Sequence, residues 1–311
     1  MSEDLSLWHD RPAKNAILDF VKHVCNRQSA RFVPPSQRIA VFDNDGTLWS
    51  EQPFYFQGLF LFDRVRALAP DNPEWKKTQP FQAVLEKDWS TLAGFGNKGL
   101  LELAVATHGG MTSSEFEQLA GDWLATARHP TLDRLFTELI FDPMLQLMSY
   151  LRKNEFKTFI VSGGGIEFIR IFSEQIYGIP PEQVVGSSIV TRFEVNEGKP
   201  VLVRSPQLNF LDDNEGKPVG IQQHIGRRPI AAFGNSDGDL QMMEWTMAGD
   251  GARLGMIIHH DDAEREFAYD RMSAAGRADR VLDEASQRGL KLISMKDDWR
   301  RVYPFEDQRV D

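Results

Sequence analysis

The stretch Val41-Phe42-Asp43-Asn44-Asp45-Gly46-Thr47-Leu48-Trp49 runs from an apolar strand into two carboxylates one residue apart. On an extended chain, residues two apart face the same side, so Asp43 and Asp45 can address one reaction centre. Gly46 lets the backbone turn sharply just beyond them. Paired acids at a strand's end, with a turn and a hydroxyl behind them, point to phosphate chemistry at a metal ion.

Upstream of the strand at Ile39 to Phe42, Ile17, Phe20, Val21 and Val24 share one helical stripe, and Pro34-Pro35 separates the two elements. Downstream, no comparable strand appears until about Phe141. This stretch is aromatic at its start (Trp49, Phe54, Tyr55, Phe56, Phe60, Phe62), and the set from Phe54 to Phe62 is read as packing ahead of a ligand cage. It then turns helical, with Thr112 and Glu115 spaced as a capping box. Residues 48–141 are therefore expected to be a helical insertion.

Strand and helix alternate again from Asp142-Pro143, a helix start. Apolar runs at Phe156 to Val161, Pro229 to Phe233 and Leu254 to Ile258 read as parallel strands joined by helices. The expected fold is α/β: a Rossmann-like doubly wound parallel sheet from residues 1–47 and 142–311. Ligands in such sheets sit outside the carboxyl ends of the strands, and two further motifs fall there. Ser162-Gly163-Gly164-Gly165 leads into a helix-like run from Ile166, and its bare amides with a serine hydroxyl suit phosphate oxygens. Gly234-Asn235-Ser236-Asp237-Gly238-Asp239 adds the hard oxygen donors that magnesium prefers, with Asp237 read as a turn residue. Neither acidic motif is a calcium loop, because the sixth position needs glycine and holds Leu48 or Leu240. The pentapeptide Asn-Glu-Gly-Lys-Pro occurs at 196–200 and again at 214–218. Val-Leu-Val after the first copy makes it a hairpin turn, whereas the second, with Pro218 at a helix start, presents Lys217 ahead of the next strand.

The order of these pieces resembles the haloacid dehalogenase superfamily, and within it the phosphatases built like phosphoserine phosphatase, from the first strand to about His260. The resemblance implies that Asp43 is a nucleophile forming an aspartyl-phosphate. It gives Asp45 the work of protonating the leaving alcohol and then activating water. It also implies that Ser162, helped by the Gly163 amide, binds a phosphoryl oxygen, and that Lys217 neutralises charge. A magnesium ion, or another hard divalent cation, would take Asp43, the Asp45 carbonyl and Asn235, with Asp239 in support. Asn235 departs from the aspartate of many members and offers a neutral oxygen. Residues 48–141 become a helical cap domain over the site, and Glu51 stands near the place of a substrate-binding glutamate. The implied activity is hydrolysis of a small phosphorylated metabolite. Transfer to another acceptor, or a weakened member that binds phosphorylated ligands or a partner protein, keeps the same residues.

A formal charge of -10 over 311 residues argues against a broad nucleic-acid footprint, and Cys25, the one cysteine, excludes an intramolecular disulfide. The N-terminus lacks a basic start with an apolar run, so no signal peptide or membrane partner is expected and a cytoplasmic location is read. Oligomeric state has no signature. His259 and His260 point to opposite faces of a strand, which disfavours a shared ion, and Asp262 reads as the cap of a helix from Ala263.

Overall fold

In the computed structural model, which describes residues 5–309, the first apolar stripe is the inner face of α1 (Pro12–Cys25), where Ile17, Phe20, Val21 and Val24 are buried. The strand β1 (Ile39–Phe42) is buried at every position and occupies the centre of the sheet. The chain then leaves the sheet for α2 (Phe56–Leu68), α3 (Phe81–Glu86), α4 (Trp89–His108) and α5 (Ser113–Thr126). The Thr112–Glu115 capping box forms as its spacing predicted.

After α6 (Asp142–Lys153) the sheet resumes with β2 (Lys157–Gly165), α7 (Ile166–Tyr177), β3 (Val184–Asn196) and β4 (Lys199–Phe210). It is completed by α8 (Gly216–His224), β5 (Ala231–Gly234), α9 (Leu240–Met247), β6 (Leu254–His259) and β7 (Lys291–Ser294). The spatial order is β4-β3-β2-β1-β5-β6-β7, parallel throughout except for β4, which pairs antiparallel with β3. The early strands step to one side of β1 and the late strands to the other, so the order reverses between β1 and β5. Asp43 and Asn235 follow those two strands directly, at the crevice where such sheets bind ligands.

The repeated pentapeptide divides as its contexts predicted. Its first copy turns the β3–β4 hairpin with Glu197 and Gly198 both at positive φ, and its second opens α8 with Lys217 buried. Two local expectations need correction. Ser162 to Gly165 continue β2 as extended chain, because Gly165 still pairs with Ser187 across a bulge. No helix starts at Ala263; Asp262 Oδ1 accepts from the amides of Glu264 and Arg265 in a turn. The short strand β7 gave no usable pattern, since only Ile293 of its four residues is buried.

The aromatic start of the insertion is packing. Phe56, Phe60 and Phe62 are fully buried, and Phe60 of α2 lies 5.6 Å from Phe168 of α7 and 5.4 Å from Trp123 of α5. One apolar core therefore continues from the sheet into the inserted helices. Among the described residues, no helix is long and apolar enough to cross a membrane.

Removing the Phe60 ring should open a cavity at that junction and cost about 3–5 kcal/mol. In urea, Phe60→Ala is expected to show a lower midpoint with one coincident transition by fluorescence and circular dichroism. A separate early transition of the helices would contradict a shared core.

Candidate active site

The backbone of β1 delivers Asp43 to the crevice, where its amide donates to the Phe233 carbonyl of β5 at 2.9 Å. Lys217, from the first turn of α8, reaches the same place and is 2% exposed. Its ammonium donates to Asp43 Oδ1 at 2.7 Å and to Asp239 Oδ1 at 2.5 Å. Burial opposes a charged lysine, yet Asp239 and Asp43 outweigh it and hold the ammonium well above its usual range. Burial pushes Asp43 up, with Asp239 adding to it and Lys217 opposing. Two carboxylates share one cation, so ionising both would leave excess negative charge before Asp45 is counted.

Asp45 is fixed by Trp49, which the sequence offered only as part of an aromatic stretch. Trp49 Nε1 donates to Asp45 Oδ1 at 2.8 Å, while Oδ2 lies 3.6 Å from the place a side chain on Gly164 would begin. One oxygen is anchored and the other faces the glycine run. Burial raises the Asp45 pKa, with the Trp49 hydrogen bond opposing. That direction suits a group that must hold a proton before giving it away.

The glycine run is built for close approach. Ser162 is buried, its Oγ accepts from the Gly164 amide at 3.1 Å, and Gly163 stays exposed at the crevice. Gln57 of α2 accepts the Gly165 amide at 2.7 Å, tying the inserted helices to this strand end. Sequence reasoning missed Gln57, because nothing local marks a glutamine that acts across the fold.

Around Gly46, at φ +72°, no side chain fits: a Cβ would stand 2.1 Å from Asn235 Nδ2 and 2.3 Å from Glu51 Oε1. His260 Nε2 meets the Gly46 carbonyl at 2.8 Å and its Nδ1 faces Glu266 at 3.2 Å, so the ring supports the turn from beneath. This is the structural role its strand position allowed. Asn235 Oδ1 accepts from Thr47 at 3.1 Å, and Nδ2 donates to Glu51 Oε1 at 2.7 Å. Tyr269 also donates to Glu51 Oε1 at 2.7 Å, and burial lifts Glu51 to about 8. Asp237, read as a turn residue, accepts the amides of Asp279 and Val281.

Asp239 was expected to support a metal. Its Oδ1 is held by Lys217 and its Oδ2 by the amides of Asn235 and Ser236 at 2.9 and 3.0 Å, so it serves as an anchor in this arrangement. Among the described residues no three His, Cys, Asp or Glu side chains converge as a metal cluster. A cation here would have to draw on an amide oxygen and a main-chain carbonyl as well as Asp43. Asp43, Asp45, Ser162, Gly163 and Lys217 all line one cavity of about 220 Å³.

The switch point of the sheet thus brings a carboxylate pair, a buried lysine and a glycine run into one crevice. Residues 40–244 match the model of the haloacid dehalogenase-like hydrolases, and the chain belongs to that family. Among solved structures, it resembles a conserved protein of unknown function from Anaerococcus prevotii (17% identity, 91% of each chain, TM-score 0.56). It also resembles one of unknown function from Bordetella pertussis (13% identity, 83% of this chain and 98% of that one, TM-score 0.50). At these identities the likeness shows the fold alone. No curated protein matches the chain.

Asp212, fully buried beside this site, has no well-formed hydrogen bond to its carboxylate; burial pushes its pKa up to about 7, with Lys217 pulling the other way. A folded pKa above the unfolded one means that Asp212's own contribution to stability is full below about pH 4 and is lost as pH rises to about 7, by on the order of 4 kcal/mol. Asp212→Asn should flatten the loss of stability between pH 5 and 8 in denaturant titrations. An equal pH slope in the two proteins would refute the buried-acid assignment.

Proposed function

We propose that the protein is a metal-dependent phosphomonoester hydrolase that works through an aspartyl-phosphate on Asp43. The observation that carries this reading is the Lys217 ammonium bonded to Asp43 with the second oxygen of Asp45 turned to the glycine cradle. A phosphate seated on the Ser162 hydroxyl and the Gly163 amide would present its phosphorus to the Asp43 carboxylate. Attack forms the Asp43 oxygen–phosphorus bond and breaks the ester bond, while Asp45 gives its proton to the departing alcohol oxygen. Water then attacks the phosphorus, Asp45 takes the water's proton, and the acyl phosphate opens to release phosphate. Lys217 offsets charge on Asp43 and on the phosphoryl oxygens throughout.

The donor set fits a hard divalent cation such as magnesium: an Asp43 oxygen, the Asp45 carbonyl and Asn235 Oδ1, in a crevice with surplus negative charge. When bound, such an ion supplies shielding between the carboxylates and the phosphate. We assign the helices of residues 48–141 as a cap over the site, since Gln57 already bridges them to the cradle. The family's breadth leaves phosphoryl transfer as a neighbouring activity, and product analysis with added alcohols separates it from hydrolysis.

Wild-type protein with magnesium should hydrolyse p-nitrophenyl phosphate, and Asp43→Asn should lose turnover by a factor of at least about 10³. Absence of wild-type activity across phosphomonoesters and divalent metals would sink the reading. The metal affinity offers a finer test. Above about pH 8, where Glu51 is ionised, Asn235→Asp alone sets a second carboxylate against it, so it should weaken folding and gain little magnesium affinity. With Glu51→Gln added, the hydrogen bond reverses and the new charge faces the cation, so magnesium should bind at least tenfold tighter, read by tryptophan fluorescence. Equal affinity of the single and double variants would contradict the Glu51–Asn235 coupling.

A further inference from the structure

A second cavity, of about 550 Å³, lies at the other end of the sheet from the acids. Three connections build it: the one from α1 into β1 (Arg31, Phe32, Val33), the one from α8 into β5 (Arg227, Arg228) and the one from α9 into β6 (Asp250, Arg253). These three strands are neighbours, so their amino ends bring the turns together. The turns are tied down as well: the Ile230 and Leu254 amides donate to the Ile39 and Ile230 carbonyls at 2.9 and 3.0 Å, and the Val33 amide donates to Val24 at 2.9 Å. Four guanidiniums line this cavity against one carboxylate, Asp250, in a chain whose formal charge is -10. Arg31 and Arg227 are exposed and Arg228 is half-buried, and none of the three has an ion-pair partner among the described residues. Arg228 is set by the Trp245 ring, 3.7 Å from its centroid. Arg253 is set by main-chain carbonyls, Nη1 donating to Pro229 at 3.1 Å and Nη2 to Asp250 at 2.6 Å. Burial lowers the Arg253 pKa, and the positive charge of Arg228 beside it lowers it further. Like charges gathered in one place repel, and a bound anion relieves that repulsion.

We propose that this cavity is a second, non-catalytic site that binds a nucleoside di- or triphosphate, with its phosphates on Arg31, Arg227 and Arg228. Three features choose that ligand. Unpaired guanidiniums open to solvent can each grip phosphate oxygens with two parallel hydrogen bonds, and several on one lining suit adjoining phosphates better than a single one. The remaining lining includes Phe32, Pro34, Ile230 and Ala252, an apolar surface for a flat ring to lie against. The volume falls within the roughly 300–1,000 Å³ of sites for small molecules. A nucleic-acid strand finds less: the arginines are confined to one cavity, and the net charge of the chain opposes a long phosphate backbone.

Isothermal titration calorimetry on the full-length protein, with a chelator present, reads binding without turnover, so its outcome is separate from that of the phosphatase reading. ATP and ADP should bind with dissociation constants below about 1 mM. AMP, with one phosphate, and tripolyphosphate, with no ring, should each bind at least about tenfold more weakly than ATP. Arg31→Gln and Arg227→Gln, whose side chains pair with nothing else among the described residues, should each weaken ATP by about tenfold, and the double variant by more, with melting temperature unchanged. Added salt should weaken wild-type binding as well. No ATP binding up to millimolar concentration, or equal affinity in wild type and the double variant, overturns the site. Tripolyphosphate bound as tightly as ATP overturns the assignment of a nucleotide to it.

Discussion

The arrangement depends on one buried ammonium. Lys217 is nearly sealed from water, and an isolated charge there would cost several kcal/mol. It is sustained by Asp43 and Asp239, and each of these is secured elsewhere: Asp43 by the β1–β5 contact, Asp239 by the amides of Asn235 and Ser236. The three-way contact thus locks the ends of β1 and β5 and the start of α8 into one unit. Two acids on one base, with a third acid nearby, leave a surplus that a phosphate alone would worsen and a divalent cation would relieve.

Behind this unit lies a layer of supporting hydrogen bonds. His260 props the Gly46 carbonyl, Glu266 holds His260 and accepts from Ser50, and Trp49 steadies Asp45. Such supports hold the two acids in different settings, Asp43 against Lys217 and Asp45 with one oxygen on Trp49 and the other toward the glycine run. The inserted helices join the scaffold through Gln57 and through the Phe60 cluster, so the enclosing wall and the reaction centre share one packed core.

What the sequence made legible follows from how local each signal was. Asp43, Asp45 and the turn at Gly46 are encoded within nine residues, and strand, acid and glycine reinforce one another. Lys217 needed context, and the duplicated pentapeptide supplied it: only the copy followed by a helix start carries its lysine into the crevice. Asn235 was legible in place but not in partnership, because its bond to Glu51 joins residues 184 apart. Gln57 and the support from His260 were out of reach for the same reason. Each acts across the fold, where a lone glutamine on a helix has no periodic signature. The short β7 and the absent helix after Asp262 show the converse, where local propensity gave way to edge position and turn hydrogen bonds.

The division of labour between the two aspartates is open to direct trapping. In an Asp45→Asn variant, attack by Asp43 on an activated ester with a good leaving group can proceed while the water step stalls, so a phosphorylated protein should accumulate. Rapid acid quench followed by peptide mass spectrometry should place one phosphoryl group on Asp43, lost again on treatment with hydroxylamine. A phosphoryl group on any other residue, or turnover in this variant equal to wild type with none trapped, would contradict the account.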